Sequence, residues 1–279
     1  MYEKILTAVN EHFNSEVTAR YALNLAKLLN SKLYICFVAE KGMTQHNRNA
    51  AEDAMQRLFN EALDLNIQAE SIAEMGDPVA EIGKIVRHEN IGIVFASTRR
   101  EDIEKRFYTG TVARSLSLKL PCSVALARIV HSGRMRPKKI LVPVKARIGH
   151  VMELATFVTH VAKAFWAKVY VFHTPKPIDT IFHGEIHITQ SEWEERMSND
   201  ISYFMRYLKQ HDIEHEGRHL PGKIAKNITI EAFAKRHDLI IMGASERSLW
   251  ASLLKGNPVE QVLRETPCDL IILMPHHED

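Results

Sequence analysis

The sequence predicts an α/β fold in duplicate: two open, five-stranded parallel sheets, each flanked by helices. Three observations carry that prediction. Short apolar runs alternate with helix-periodic segments along the chain, as strands covered on both faces by helices require. The run Ile93–Ala96, Ser97, a polar loop, Gly110-Thr111, a helical segment, Pro121-Cys122 and a second apolar run return later. They return as Leu239–Met242, Gly243, a loop ending in Gly256-Asn257, a helical segment, Pro267-Cys268 and Leu270–Leu273. The spacing is constant: 243 − 97, 256 − 110, 267 − 121 and 268 − 122 all equal 146.

In order, Ile5–Val9 predict a first buried strand, and Ala19, Ala22, Leu23, Ala26 and Leu29 form the apolar stripe of a helix. Leu33–Val38 predict a second strand, residues 49–63 a second helix, and Ile67–Ala73 a third strand whose alternation suits a more exposed face. Gly76-Asp77-Pro78 opens the next helix: aspartate can accept from free N–H groups of the first turn, and proline suits the first helical position. Strands at Ile91–Ala96 and Val124–Ala127 complete the first unit, residues 1–130. Residues 128–137, with three arginines, Gly133, Pro137 and no acid, read as a linker. The second unit, residues 137–279, begins with Lys139–Val144, which matches Lys4–Val9 at an offset of 135. The later offset of 146 leaves 11 extra residues (146 − 135), placed mostly around 173–188. Helices at 191–209 and 224–236 and an alternating strand at 213–220 follow.

The length suits two domains. With 36 basic against 34 acidic residues, the balance of +2 gives no reason to invoke a nucleic-acid partner. No apolar run approaches the ~20 residues of a membrane span, and Met1–Leu6 lead directly into a strand without a signal-peptide pattern. Three cysteines form no disulfide framework and suit a reducing cytoplasm. Cys122 and Cys268 follow proline before buried strands, where packing explains them.

Ligands of doubly wound sheets bind beyond the carboxyl ends of strands, where the strand order reverses. If the first and fourth strands flank that reversal, Asn10 meets Ser97–Arg100 in the first unit and Lys145 meets Gly243–Arg247 in the second. Gly110-Thr111 stands at a predicted helix start, where free N–H groups and the helix dipole favour an anion; the same pair also serves as a plain turn and N-cap.

These residues lead to a family. Ile140–Val144, Gly76-Asp77-Pro78, Leu239–Gly243, Leu120-Pro121-Cys122 and Thr266-Pro267-Cys268 give a chain that resembles the universal stress proteins in their tandem, two-domain form. The repeat itself predicts packing of the two units as a pseudo-dimer, since repeated folds offer like surfaces to each other. The resemblance implies a 3-2-1-4-5 strand order and a role in stress survival without a common catalytic reaction. It implies ATP or another adenine nucleotide as the ligand, bound through Gly-x2-Gly-x9-Gly-[Ser/Thr] and an aspartate after the first strand. The motif positions here are Ser97, Arg100, Gly110 and Thr111, then Gly243, Glu246, Gly256 and Asn257; the aspartate positions hold Asn10 and Lys145. Each half thus keeps two of four motif positions and neither keeps the acid. Asn10 offers a donor and an acceptor, and Arg99, Arg100, Lys105 and Arg106 offer positive charge to a polyphosphate, whereas Glu246 repels one. The first half is the better candidate.

Two readings compete with nucleotide binding. One is a protein-interaction or scaffold module whose nucleotide sites have decayed. The other, weaker, is a metal or small-molecule site in the second half. His183 and His187 have the spacing of two ligands on one helix face, while His215 and His219, ~13 Å apart along a strand, cannot share an ion.

Overall fold

In the computed structural model, residues 2–98, 112–131, 136–173, 198–219, 224–244 and 258–275 are described. The first half runs β1 (Lys4–Val9), α1 (Phe13–Leu29), β2 (Lys32–Ala39), α2 (Gln45–Asp64), β3 (Ala69–Met75), α3 (Pro78–Glu89), β4 (Ile93–Ser97), α4 (Val112–Lys119) and β5 (Ser123–Arg128). The second runs β6 (Lys139–Val144), α5 (Val151–Phe165), β7 (Lys168–His173), α6 (Asn199–Gln210), β8 (His215–His219), α7 (Ile224–Ala234), β9 (Leu239–Gly243), α8 (Pro258–Glu265) and β10 (Asp269–Met274).

Local chemistry accounts for the boundaries. Asp77 Oδ1 accepts from Ala80 N–H at 2.8 Å and Pro78 opens α3, as the sequence predicts. The fourth strand starts at Ile93 rather than Ile91, because Ile91 N–H still bonds Val86 O of α3. The expected helix over 191–209 is described from Asn199, where Ser198 Oγ caps Ile201 N–H; its first residues, and the 11-residue insertion, lie outside the described residues.

The strand order is β3-β2-β1-β4-β5-β10-β9-β6-β7-β8. Each half has the 3-2-1-4-5 order, with parallel pairs inside it. The two expected five-stranded sheets are present, and they are joined edge to edge. Edge strands β5 and β10 pair antiparallel, so the two sheets are one sheet of ten strands. An unpaired edge strand exposes a row of backbone donors and acceptors, and pairing two such edges satisfies both rows. Leu126 pairs with Ile272, its own counterpart at offset 146, and the other pairs fall symmetrically about it: Ala125 with Leu273, Ala127 with Ile271. A pseudo-twofold axis therefore passes through the Leu126–Ile272 pair.

Helices cover both faces. Ile5, Val9, Phe95, Ala125, Ala127, Ile271 and Leu273 face the layer that holds α1, α2, α5 and α6. Leu6, Val94, Val124, Leu126, Leu270 and Ile272 face the layer of α3, α4, α7 and α8. α1 and α5 cross the junction and lock it with buried polar contacts. Ser123 and Asp269 are equivalent positions (269 − 123 = 146), and each bonds a helix of the other half. Ser123 Oγ donates to Glu153 of α5, which also accepts from Tyr2 Oη at 3.4 Å. Asp269 accepts from Tyr21 Oη of α1 at 3.1 Å, and from the N–H groups of Val130 and His131 at 2.8 and 3.1 Å. Burial pushes the Asp269 carboxyl up from the ordinary range, while its three donors pull it back.

One buried base has no such partners. The His237 ring is inaccessible, stands edge-on to Tyr170 with centroids 4.8 Å apart, and neither ring nitrogen makes a hydrogen bond. Burial, aided by Lys139, pushes its pKa down to about 4, although the Asp238 carboxylate pulls the other way. The folded state thus binds this proton less readily than the unfolded chain, whose histidines titrate near ~6.5. Its stabilisation is complete above that value and is lost as pH falls towards 4, by roughly 3 kcal/mol. His237→Phe is expected to flatten this part of the stability profile. Urea midpoints of both proteins at pH 7.5 and 4.5 measure it; equal acid losses would refute the assignment.

Candidate functional site

The first-half crevice forms because β1 and β4 part. Their pairing ends at Thr7 and Phe95, although β1 continues to Val9 and β4 to Ser97. β4 leans instead towards β5: Thr98 N–H bonds Ala127 O at 2.9 Å, and Thr98 Oγ1 lies 3.3 Å from the same oxygen. The second half repeats the device. β6 and β9 pair only at Ile140–Leu239 and Leu141–Ile240, and Ala244 N–H, the counterpart of Thr98, bonds Leu273 O at 2.9 Å. Both openings lie at the carboxyl ends of strands beside a reversal in strand order, where α/β sheets bind ligands.

Because β5 and β10 run antiparallel, the two crevices open at opposite edges of the sheet. The first shares its edge with the amino ends of β6, β9 and β10; the second shares its edge with the amino ends of β1, β4 and β5.

Asn10 lies at the first crevice, but its side-chain oxygen is already engaged, accepting from His12 N–H at 3.0 Å. This Asx turn shapes the β1–α1 connection. Ser15 Oγ tightens it, accepting from Asn10 N–H at 3.1 Å and lying within hydrogen-bond distance of the carbonyls of Asn10 and His12. Of the donor and acceptor expected at Asn10, the amide N–H2 is the end outside the turn. Ser97 ends β4 paired with Ala127 and is half-buried. The structure thus places Asn10 just after β1 and Ser97 at the end of β4, the two strands that flank one opening. Arg100, Gly110 and Thr111 lie outside the described residues, as do Arg99, Lys105 and Arg106; α4 begins at Val112, directly after the Gly110-Thr111 pair.

Sequence reasoning passed over two groups here. Glu11 follows Asn10; its side chain is 13% exposed, and Oε2 is buried without a hydrogen-bond partner among the described residues. Oε1 lies 3.4 Å from His12 Nε2. An acceptor one position beyond the expected aspartate is the only sequence signal that pointed to it. Arg114, in the first turn of α4, is buried at 8% exposure; its counterpart in the repeat is Glu260 (260 − 114 = 146).

In the second crevice, Lys145 is exposed and His173 Nδ1 lies 3.0 Å from Val144 O. Gly243 has a packing reason of its own: a Cβ there would lie 3.2 Å from Leu154 Cδ2 of α5. Gly256 and Asn257 lie outside the described residues, and α8 begins at Pro258. His183 and His187 also lie outside them, and no group of three or more metal-ligating side chains occurs among the described residues. Cys36, Cys122 and Cys268 are free and buried, and burial pushes each thiol up to about 12, so none is activated as a nucleophile. No helix among the described residues is long and apolar enough to cross a membrane.

Comparison with known proteins agrees with this architecture. The sequence profile of the universal stress protein family matches residues 1–128 and again residues 137–273. A universal stress protein from Archaeoglobus fulgidus DSM 4304 superposes with a TM-score of 0.65 at 17% identity, covering 99% of this chain and 97% of its own. A putative universal stress protein from Pseudomonas aeruginosa UCBPP-PA14 gives 0.64 at 18%, covering 99% and 94%. The cytoplasmic domain of a prokaryotic cation chloride cotransporter gives 0.56 at 12%, covering 100% and 98%. No curated protein matches the sequence. With both halves matched in turn and the repeated sheet order in place, the chain belongs to the universal stress protein family, as a tandem of two such units.

Proposed function

We propose that this chain is a non-catalytic, cytoplasmic stress-response protein that binds ATP or another adenine nucleotide in its first half. The observation that carries the reading is the parted β1–β4 end with the unclaimed Glu11 Oε2 beside it. A carboxylate acceptor suits the hydroxyls and amino group of a nucleoside. The start of α4, with Gly110-Thr111 before it and Arg114 within its first turn, suits the phosphates. Buried, free cysteines fit a reducing compartment.

A second reading, a protein-interaction module with decayed sites, draws on the second half. There Lys145 replaces the acid, Glu246 opposes phosphate, and Leu154 accounts for Gly243 without any ligand. We assign that crevice no nucleotide.

The test begins with denaturing the purified protein and identifying any small molecule released. Calorimetric titration of the full chain with ATP, ADP and AMP follows. Gly110→Trp is expected to abolish binding and Gly256→Trp to leave it intact, while Glu11→Gln weakens it about tenfold, the value of one charge-assisted hydrogen bond. No released nucleotide and no heat at millimolar ATP would hand the case to the interaction module; the reverse pattern of the two tryptophan variants would move the site to the second half.

A further inference from the structure

Three helix ends of the first half close on asparagine in the left-handed conformation: Asn30, Asn66 and Asn90, at φ 54°, 57° and 55°. Their counterparts are Trp166, Asp212 and Arg236 (166 − 30 = 136, the offset that also relates Lys32 to Lys168; 212 − 66 and 236 − 90 = 146), at φ 54°, 58° and 52°. Asparagine adopts this conformation several-fold more readily than a long side chain such as arginine does. Arg236 therefore holds a position that local backbone chemistry would give to asparagine or glycine.

Arg236 stands at the mouth of a cavity of about 860 Å³, between the end of α7, the segment after β5 and the start of β10. Its side chain is exposed and makes no ion pair among the described residues. Beside it Phe233 is 75% exposed, its carbonyl accepting from Arg236 N–H, and Val130 and Pro267 complete an apolar wall.

Two carboxylates also line the cavity, and both have oxygens engaged by backbone donors. Asp238 Oδ2 accepts from the N–H groups of Lys138 and Lys139 at 2.9 and 3.0 Å. Asp269 is held by Val130, His131 and Tyr21. The negative end of α7 is countered by Lys139 Nζ, 3.4 Å from Lys235 O. Beside these engaged carboxylates the cavity wall carries the Arg236 guanidinium and the exposed Phe233 ring.

We propose that this cavity binds a small organic acid, its carboxylate held by the Arg236 fork and its apolar or aromatic body against Phe233, Val130 and Pro267. A planar fork matches a carboxylate in two-point fashion, and the volume is that of a small-molecule site. A single guanidinium beside an apolar wall favours one negative charge on an apolar body over a polyphosphate.

Arg236→Asn tests this cleanly, because it relieves the backbone and removes the anion partner together. The full-length variant is expected to melt about 2 °C higher and to bind 2-naphthoate at least tenfold more weakly by calorimetry. Phe233→Ala should also weaken naphthoate, and 2-naphthalenemethanol, which has no charge, should bind the wild type at least tenfold less tightly than naphthoate. Absence of naphthoate heat at millimolar concentration, equal binding of acid and alcohol, or unchanged affinity in Arg236→Asn would each overturn the proposal.

Discussion

Residues 1–130 and 137–279, produced as separate chains and mixed, are expected to join each other in preference to pairing with themselves. The reason lies in the β5–β10 register. Across the junction, on the face beneath α1 and α5, Ala127 sits beside Ile271 and Ala125 beside Leu273, a small residue against a large one at each step. If the first half paired with itself in the same register, alanine would face alanine twice. If the second did so, Ile271 would face Leu273 twice. The first arrangement leaves voids and the second overfills the layer; each error costs about 1–3 kcal/mol per site. Two such sites make the mixed pair tighter by roughly a hundredfold or more. Native mass spectrometry or sedimentation of separate and mixed halves decides it. Homodimers as stable as the mixed pair would show that the register contributes no selectivity.

The second large effect is expected from Asp269→Ala. The substitution leaves the N–H groups of Val130 and His131 and the Tyr21 hydroxyl without their acceptor, at a buried position that is 2% exposed. An unsatisfied buried donor costs about 1–3 kcal/mol, so a total loss near 4 kcal/mol is expected, read as a fall in the chemical denaturation midpoint. Tyr21→Phe alone should cost about 1 kcal/mol. Combined, the two should lose less than their sum, because the phenol no longer seeks the missing carboxylate. Strict additivity would show that Tyr21 and Asp269 do not act as one contact.

The contrast between these positions and the strands shows what the sequence makes legible. Buried parallel strands announce themselves by continuous apolar runs, and the cap of α3 by Asp77-Pro78, because both depend on neighbours in the chain. The constant offset of 146 then fixes which elements repeat. The β5–β10 pairing depends instead on which edge finds which partner, and nothing within Ser123–Arg128 specifies it. Gly243 likewise looks like a motif glycine until Leu154, 89 positions earlier (243 − 154), is seen beside it. At the candidate site, Asn10 was readable as a residue at a strand end, but the engagement of its oxygen by His12 N–H was not. Arg236 carries no motif at all. It becomes informative only when its backbone angle is set against that of Asn90.

The antiparallel junction has a further consequence. Joined through equivalent edges, two identical units would give a particle whose two rims are the same. Here each rim is a composite of different parts: one carries the Asn10 opening of the first half beside the Arg236 cavity of the second, the other carries the Lys145 opening beside Tyr2 and Ser31. The molecule therefore has a front and a back. A surface that covers one rim touches parts of both halves and leaves the opposite opening uncovered.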